Sequence, residues 1–313
     1  MTMHLIDWKP ENLFWGYFDA NTPPVLKVAS GDEVVMNCLP ACLPSDLPPD
    51  GSGVLSDHIL AMEKHQSNRG AGPHMLTGPV FVEGAEAGDV LQVDILEAKP
   101  AQNWAFTAIL PLLGALPDEF TDYEHLHISV DRDAMTCTLP WGLTLPLDPF
   151  FGIMAVAPPK EWGRIGTPEP RAFGGNMDNK ELKPGTTLYL PVFNEGALFS
   201  AGDGHGRQGD GEVCIAAVET ALSGSFRLTV RKDMSLETPF AETPQNLISM
   251  GFDEDLDEAM RKAVRDMINL VVSRGGLSRN QAYMLLSLAG DLRITQVVDG
   301  EKGVHMLMRK EWL

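Results

Sequence analysis

The sequence predicts an α+β fold that is predominantly β, with sandwich-like or barrel-like strands and a smaller C-terminal α+β part that contains two helices. Short segments in which apolar and polar residues alternate recur up to residue 231, as in residues 91–95, and this period is typical of half-buried strands. Beyond residue 255 the apolar positions follow the period of an amphipathic helix. We therefore expect a mainly β domain over residues 1–222 and an α+β part over residues 223–313 that packs onto it.

The N-terminal part is predicted to consist of strands and loops. Residues 25–28 and 33–36 flank a Ser-Gly-Asp turn, which predicts a hairpin. Residues 42–72 are rich in Pro, Ser and Gly at both ends and are long for a plain connection, so we expect a lid or an oligomer contact there. A further strand is predicted to end at Gly84, and it would carry Glu83 at its end.

The C-terminal part is predicted to begin with two helices. The first covers residues 256–271 and follows a run of acidic residues, which favours a helix N-terminus electrostatically. The second covers residues 279–289, where Ser278 and Gln281 form a capping box and a glycine follows the last turn. Residues 291–299 are then predicted as a strand.

The composition excludes several classes of partner. Asp and Glu number 43 against 24 Lys and Arg, and the net charge of −19 argues against binding to nucleic acid or to an anionic membrane surface. The chain has no apolar window of about 18 residues and no signal peptide at its N-terminus, so we expect no membrane span. Its four cysteines are interpreted as free thiols in a reducing cytoplasm.

Residues 174–213 concentrate Gly, Asp, Asn, His and Glu around a short apolar run that is predicted as a strand. Glycines permit positive φ angles and close backbone approach, so such loops can direct several polar side chains at one ligand. Any single Asp-Gly pair is explained more simply as a turn, whereas the whole cluster indicates a site. Asp178, Asp203 and His205 are oxygen and imidazole groups of the kind that bind divalent metals.

The same stretch resembles the acetamidase/formamidase family of amide hydrolases. A GGN-x-D turn, LYLPV, GALFS-x-GD-x-H and QGDGE follow one another over residues 174–212, as in that family. Three further runs resemble it, at residues 74–91, 149–158 and 276–305, so the resemblance covers nearly the whole chain. It departs from the family at residues 37–41, where a Thr and an acidic residue are usual.

The resemblance implies an amidase that acts on a small neutral amide such as formamide or acetamide, and it points to a homo-oligomer, a dimer or higher. The chemistry of the residues is compatible with this reaction. A mixed oxygen and nitrogen ligand set favours Zn²⁺, with Ca²⁺ or Mn²⁺ as alternatives. A bound divalent ion would lower the pKa of a water molecule from about 15.7 to about 7 and polarise the substrate carbonyl.

Further candidates surround these three metal ligands. Glu83 or Glu212 is the candidate general base that would take the proton of the water and pass it to the leaving nitrogen. For Glu83 a structural role at a turn is an equal alternative. His74, Asn176 and Gln208 are candidate groups for positioning the substrate or stabilising an oxyanion.

Two other functions stay open at this point. The first is a family member that cleaves a different linear C–N bond, for example a urea-like one, and the departure at residues 37–41 and the insert at 42–72 are compatible with it. The second is a non-catalytic β binding module that a structural Ca²⁺ stabilises. The binding module predicts a metal with a complete shell of protein ligands, whereas an amidase predicts an open coordination position.

Overall fold

A computed structural model describes all 313 residues of the chain. The chain has 21 strands and 3 α-helices, which confirms the predicted, predominantly β, α+β class. In chain order the first strands are β1 (Met3–Ile6), β2 (Leu13–Trp15), β3 (Tyr17–Phe18), β4 (Leu26–Val28), β5 (Asp32–Cys38), β6 (Met75–Val82), β7 (Val90–Pro100), β8 (Trp104–Ile109), β9 (Glu124–Asp131), β10 (Thr136–Thr138) and β11 (Thr144–Pro146). The later strands are β12 (Phe150–Ala155), β13 (Ile165–Gly166), β14 (Gly174–Asn176), β15 (Thr187–Pro191), β16 (Phe199–His205), β17 (Leu222–Arg231), β18 (Phe240–Glu242), β19 (Asn246–Asp253), β20 (Asp291–Gln296) and β21 (Lys302–Arg309).

Two large sheets pack face to face as a sandwich. One sheet has nine strands in the order β1-β5-β17-β7-β15-β18-β19-β21-β20, and the other has the order β14-β12-β16-β6-β2, with β4 added beside β6. Phe226 of the first sheet contacts Phe151 and Phe199 of the second edge-on, with ring centroids 5.2 and 5.6 Å apart. These rings belong to one core of 37 buried apolar residues, and burial of this surface is the main stabilising contribution.

The predicted hairpin over residues 25–36 is wrong, although both of its strands exist. β4 pairs in parallel with β6, whereas β5 lies between β1 and β17 in the opposite sheet. Val28 and Val34 nevertheless enter the same core. Alternation shows that each strand buries one face, but it does not show which sheet the strand joins, and here the turn passes from one layer of the sandwich to the other.

The three helices are α1 (Ser56–His65), α2 (Leu256–Gly275) and α3 (Arg279–Ala289). Both C-terminal helices occur as predicted. The Asp255 carboxylate caps α2 by accepting bonds from two backbone N–H groups, and the capping box of Ser278 and Gln281 begins α3. No helix is long and apolar enough to cross a membrane.

The segment between β5 and β6 covers one side of the sandwich near a smaller sheet, which has the order β11-β10-β9-β8. In this segment α1 buries Ala61 and Met62 against a cluster that includes Trp104 and Phe106 of β8. The proposed division at residues 222 and 223 stays a prediction. Strands from both sides of it contribute to the nine-stranded sheet, so the two parts share one layer.

Candidate active site

Two strands of the second sheet, on either side of β12, direct carboxylates at the same point. Asp178 follows β14, and Asp203 lies in β16, with β12 between the two strands. On β12 a glycine faces both of them, because a Cβ atom on Gly152 would overlap Asp178 Oδ1 and Asp203 Oδ2. The absence of a side chain at Gly152 is therefore what lets the two carboxylates converge.

His205 is the centre of the cluster. Its Nε2 lies 3.1 Å from Asp203 Oδ2 and 3.3 Å from Glu219 Oε1, and its Nδ1 lies 3.7 Å from Asp178 Oδ1. Two sets of potential ligand atoms result, each within 4.8 Å: Asp178, His205 and Glu212, and Asp203, His205 and Glu219. All of these residues are buried, so their charges act on one another through little solvent.

Backbone conformations around the cluster are unusual. Asp178, Asp203 and Glu212 have φ angles of 47°, 56° and 45°, which are left-handed. Ile215, a β-branched residue, has a φ of 82°. Such residues cost roughly 1–3 kcal/mol each and are concentrated at functional sites. The fold therefore accepts strain to orient these side chains.

Burial shifts the acid–base properties of the outer carboxyl groups of the cluster. It raises the pKa of Asp178 to about 7 and raises the pKa of Glu219. Burial together with the charge of Asp178 also raises the pKa of Glu212 and Asp299 well above the ordinary range. Closely spaced carboxyl groups that are shielded from water thus stay protonated at a pH at which exposed ones would ionise. A bound cation would favour their ionised form instead.

Asp203 and His205 behave as a charged pair. Burial by itself would raise the pKa of Asp203, but the positive charges of His205 and His74 outweigh it and hold this pKa below the usual range. Burial would likewise lower the pKa of His205, but Glu219 and Asp203 outweigh it and raise this pKa well above 6.5. Asp203 and His205 are therefore both charged, and the remaining acids of the cluster lie around this ion pair.

The donor atoms fit a divalent cation. Several buried carboxyl oxygens have no hydrogen-bond partner: Asp178 Oδ1 and Oδ2, Glu212 Oε2, Glu219 Oε2 and Asp299 Oδ2. Leaving a buried polar group without a partner costs about 1–3 kcal/mol, and more for a charged one. Hard oxygen atoms around one imidazole are a ligand set that divalent metals prefer, so a cation would satisfy several orphaned groups together.

The three predicted positioning residues lie beside this cluster. Gln208 Oε1 accepts a bond from His205 Nδ1 at 2.8 Å, and Gln208 Nε2 donates to the backbone oxygen of Asp178 at 2.7 Å. His74 Nδ1 is 2.7 Å from Thr167 Oγ1, and its Nε2 lies 3.9 Å from Asp203 Oδ2. Asn176 is buried, with Oδ1 unpartnered.

Glu83 is the one predicted site residue that the structure does not bring to the cluster. It is exposed and forms an ion pair with Lys27 at 3.2 Å. Strand β6 separates Glu83 from the cluster, because His74 immediately precedes this strand and Glu83 immediately follows it. Strand geometry separates the two ends by roughly 25–30 Å. The position and the contact of Glu83 therefore correspond to the structural alternative.

Two acids of the cluster were missed from the sequence. Glu219 lies in residues 213–221, where the period of the apolar residues does not distinguish a strand from a helix. The structure has an irregular segment there, with isolated bridges from Glu219 to Phe106 and to His205. Asp299 follows β20 in an Asp-Gly turn, and this turn was its only local signal. Asp291, at the start of β20, is exposed and does not belong to the cluster.

A cavity of about 520 Å³ leads from the cluster to the surface. Its inner end carries four acids and two imidazoles of the cluster region: Asp203, Glu212, Glu219, Asp299, His74 and His205. Its outer wall is largely apolar and comes from three segments, residues 41–46, residues 106–113 and residues 215–216. The arrangement combines a charged, strained inner end with room for a small organic molecule beside it.

Comparison with known proteins identifies relatives along the chain. The model of the acetamidase/formamidase family matches residues 13–165 and 164–308. An acetamidase from Mycolicibacterium smegmatis is 29% identical over an alignment of 198 residues that covers 45% of this chain and 49% of that protein. The chain thus spans about half the length of this curated relative.

Solved structures resemble the chain over nearly its full length. The crystal structure of an acetamidase from Bacillus halodurans superimposes with a TM-score of 0.85 at 31% identity, covering 98% of each chain. The structure of an acetamidase from Yersinia enterocolitica gives a TM-score of 0.85 at 28% identity, covering 99% of this chain and 92% of that one. The sandwich and its appended helices are therefore an architecture that these proteins share.

Proposed function

The chain belongs to the acetamidase/formamidase family, and from this premise we propose that it is a metal-dependent hydrolase of a short-chain carboxamide. The substrate is of the formamide or acetamide type, as the names of its relatives state for them, and the products are a carboxylate and ammonia. One observation carries the proposal. Unpartnered, buried carboxyl oxygens surround His205 at the inner end of a cavity that can admit a small molecule.

Asp178, Asp203 and His205 are the proposed metal ligands, and Glu212 and Glu219 extend the set. The mixed oxygen and nitrogen donors favour Zn²⁺, with Mn²⁺ or Ca²⁺ as alternatives. When bound, such a cation supplies a water molecule of lowered pKa and polarises a carbonyl group. Gln208 supports the site by holding the His205 ring and the backbone of Asp178 together.

The chain's own carboxylates move the proton. Burial raises the pKa of Glu212 and of Glu219, and a carboxyl group whose pKa approaches the working pH both accepts and returns a proton efficiently. One of them takes a proton from the attacking water and delivers it to the leaving nitrogen. The C–O bond forms, the C–N bond breaks, and ammonia leaves.

Asn176 and His74 orient the substrate in this proposal. Both are buried and line the cavity beside Asp203. The Thr167 hydroxyl holds the His74 ring through Nδ1, which leaves Nε2 toward the cluster. The Asn176 amide has an unpartnered oxygen, so the side chain is available to bind the amide group of a substrate.

We also propose that the protein works as a homo-oligomer in the cytoplasm. Strand β20 is an edge strand, and beside it α3 exposes Tyr283, Met284 and Leu288. An apolar face next to a sheet edge is a surface that association buries. The four cysteines are free thiols, which is typical of a reducing compartment.

Ammonia release tests the proposed reaction. Formamide, acetamide, propionamide and urea are supplied to the wild type with and without a chelator, and to Asp178→Ala. The matched control is Asp210→Ala, because Asp210 lies in the same glycine-rich run but is exposed and paired with Lys180 at 2.9 Å. We expect chelator-sensitive release from a short amide that Asp178→Ala loses and Asp210→Ala keeps.

Two results would contradict the proposal in different ways. Activity that survives both the chelator and Asp178→Ala would remove the metal assignment. A bound metal without ammonia from any of these compounds would favour a different C–N bond or the binding module.

A further inference from the structure

We propose that the outer part of the cavity is an acyl pocket, and that this protein prefers linear carboxamides whose acyl group is apolar and longer than acetyl. The inference rests on the proposed amidase function and, within it, moves the preferred substrate from the formamide or acetamide type to linear amides with a longer apolar acyl chain. The acyl pocket is defined here by six residues, Leu43, Phe106, Ala108, Leu110, Leu113 and Ile215.

One wall of the acyl pocket is a single strand face. Phe106, Ala108 and Leu110 occupy alternate positions along β8 and its continuation, so they point to the same side. All three line the cavity, whereas Ala105 packs on the other side of the strand, in a separate core cluster. This face offers an apolar row roughly 13 Å long from its first to its last residue.

The apolar row begins at the reacting centre. The backbone N–H of Phe106 donates to Glu219 O at 3.0 Å, and the N–H of Glu219 donates to Phe106 O at 2.8 Å. Glu219 Oε1 in turn lies 3.3 Å from His205 Nε2. An acyl chain whose carbonyl lies at the cluster would therefore run outward over Ala108 and Leu110.

The second wall is held in a strained conformation. Ile215 has a φ of 82°, which is rare for a β-branched residue. The neighbouring segment is tied to β8 and the loop after it, since the Thr107 hydroxyl donates to Ala216 O at 3.2 Å and Ala115 N–H donates to Val213 O at 2.8 Å. Strain that is retained beside a cavity indicates that the direction of this side chain matters.

The third wall is fixed by Asp46. Its Oδ2 accepts a bond from the backbone N–H of Leu43 at 2.6 Å, and its Oδ1 accepts one from the Tyr123 hydroxyl at 3.2 Å. His127 Nε2 donates to the backbone oxygen of Asp46 at 3.1 Å. Leu43 is thereby held against strand β9 and the loop that precedes it, so the wall is formed before any ligand arrives.

The volume of the cavity and the charges that line it indicate which acyl group the acyl pocket binds. A water molecule takes about 30 Å³ of liquid volume, so formamide or acetamide would leave most of the 520 Å³ to solvent. The cavity also carries the acids Asp46, Glu169 and Asp299, against the single guanidinium of Arg69. An acyl group that ends in a carboxylate would meet repulsion, whereas an uncharged alkyl or aryl group would not.

A substrate series tests the acyl pocket. Values of kcat/KM are measured by ammonia release for formamide, acetamide, butyramide, hexanamide and phenylacetamide, and for the monoamide of adipic acid. Each buried methylene contributes about fourfold, so we expect hexanamide to exceed acetamide by on the order of 10²-fold and the charged monoamide to fall well below hexanamide. Equal values for acetamide and hexanamide would overturn the acyl pocket and leave the amidase intact, whereas no ammonia from any compound would overturn the proposed function.

A variant that fills the acyl pocket tests whether the preference for long acyl chains arises there. In Ala108→Phe the ratio of kcat/KM for hexanamide to that for formamide is expected to fall by about 10–100-fold. The control is Ala134→Phe, because Ala134 is exposed in the turn between β9 and β10 and should keep the wild-type ratio. A second variant, Leu113→Asn, changes a half-exposed side chain, and it should lower the same ratio. An unchanged ratio in folded Ala108→Phe and in Leu113→Asn would overturn the assignment.

Discussion

The two ends of the cavity are built in opposite ways. The inner end consists of buried carboxylates and imidazoles. Asp178, Asp203 and Glu212 have left-handed backbone conformations, and several carboxyl oxygens there lack hydrogen-bond partners. The outer wall consists of apolar side chains, and the backbone behind them is hydrogen-bonded. They meet where Phe106 pairs with Glu219. The difference separates the chemistry, which needs charged groups held without partners, from substrate selection, which needs the shape of an apolar wall.

The largest expected effect comes from removing one of the two proposed proton carriers at the inner end, Glu219. Glu219→Gln keeps the size of the side chain but not its acid–base function, so we expect kcat to fall by about 10²–10⁴-fold. The control is Glu83→Gln, since Glu83 is exposed and paired with Lys27 far from the cavity. Steady-state kinetics on one amide compare the two variants. A comparable loss in Glu83→Gln would reverse the assignment of the general base.

The stability of the fold is expected to be sensitive to acid at a buried histidine behind the outer wall of the cavity. His58 of α1 is buried near Cys42 Sγ at 3.5 Å, and burial lowers its pKa to about 4. Because the unfolded chain protonates this ring near pH 6.5, His58 contributes stability above that pH, and the contribution is lost as the pH falls toward 4. We expect the free energy of unfolding to drop by about 3 kcal/mol over this window. Urea titrations at several pH values should show a smaller drop in His58→Leu, and an equal drop would exclude His58 as the source.

Metal removal should affect the inner end alone. A ligand that binds only the folded state stabilises it by about 2.7 kcal/mol at a hundredfold excess over Kd. The wild type and Ala108→Phe should therefore lose a similar free energy of unfolding on chelation, because Ala108 lies in the outer wall. Asp178→Ala should lose much less. If chelation leaves the stability of the wild type unchanged, the orphaned oxygens do not hold a cation.

The convergence of the two carboxylates can be broken through one glycine. Gly152→Ala places a Cβ atom against Asp178 Oδ1 and Asp203 Oδ2, and we expect metal affinity to fall by about 10–100-fold, as for other changes in the residues that support metal ligands. Gly209→Ala is the matched control, because a Cβ atom there meets no atom within 4 Å. Metal content after dialysis measures the effect. Full metal content in Gly152→Ala would show that the carboxylates bind no ion between them.

By itself the sequence determined the features that depend on nearby residues. The capping box of Ser278 and Gln281 acts within one helical turn, so α3 was predictable to its first residue. Asp203, His205 and Gln208 lie within six positions of one another, and their glycine-rich setting marked the inner end. The four motif runs likewise identified the family.

Tertiary structure alone decided what depends on pairing between distant segments. Residues 25–36 contain two strands that join opposite sheets. The apolar face of each strand is buried in the same core, and this burial outweighs the tendency of a short turn to form a hairpin. Glu219 is placed beside His205 by its bridges to Phe106 and to His205 itself, and β6 carries Glu83 away from His74. Local propensity acts over a few residues, whereas the cavity is closed by segments that meet only when the sandwich buries its core.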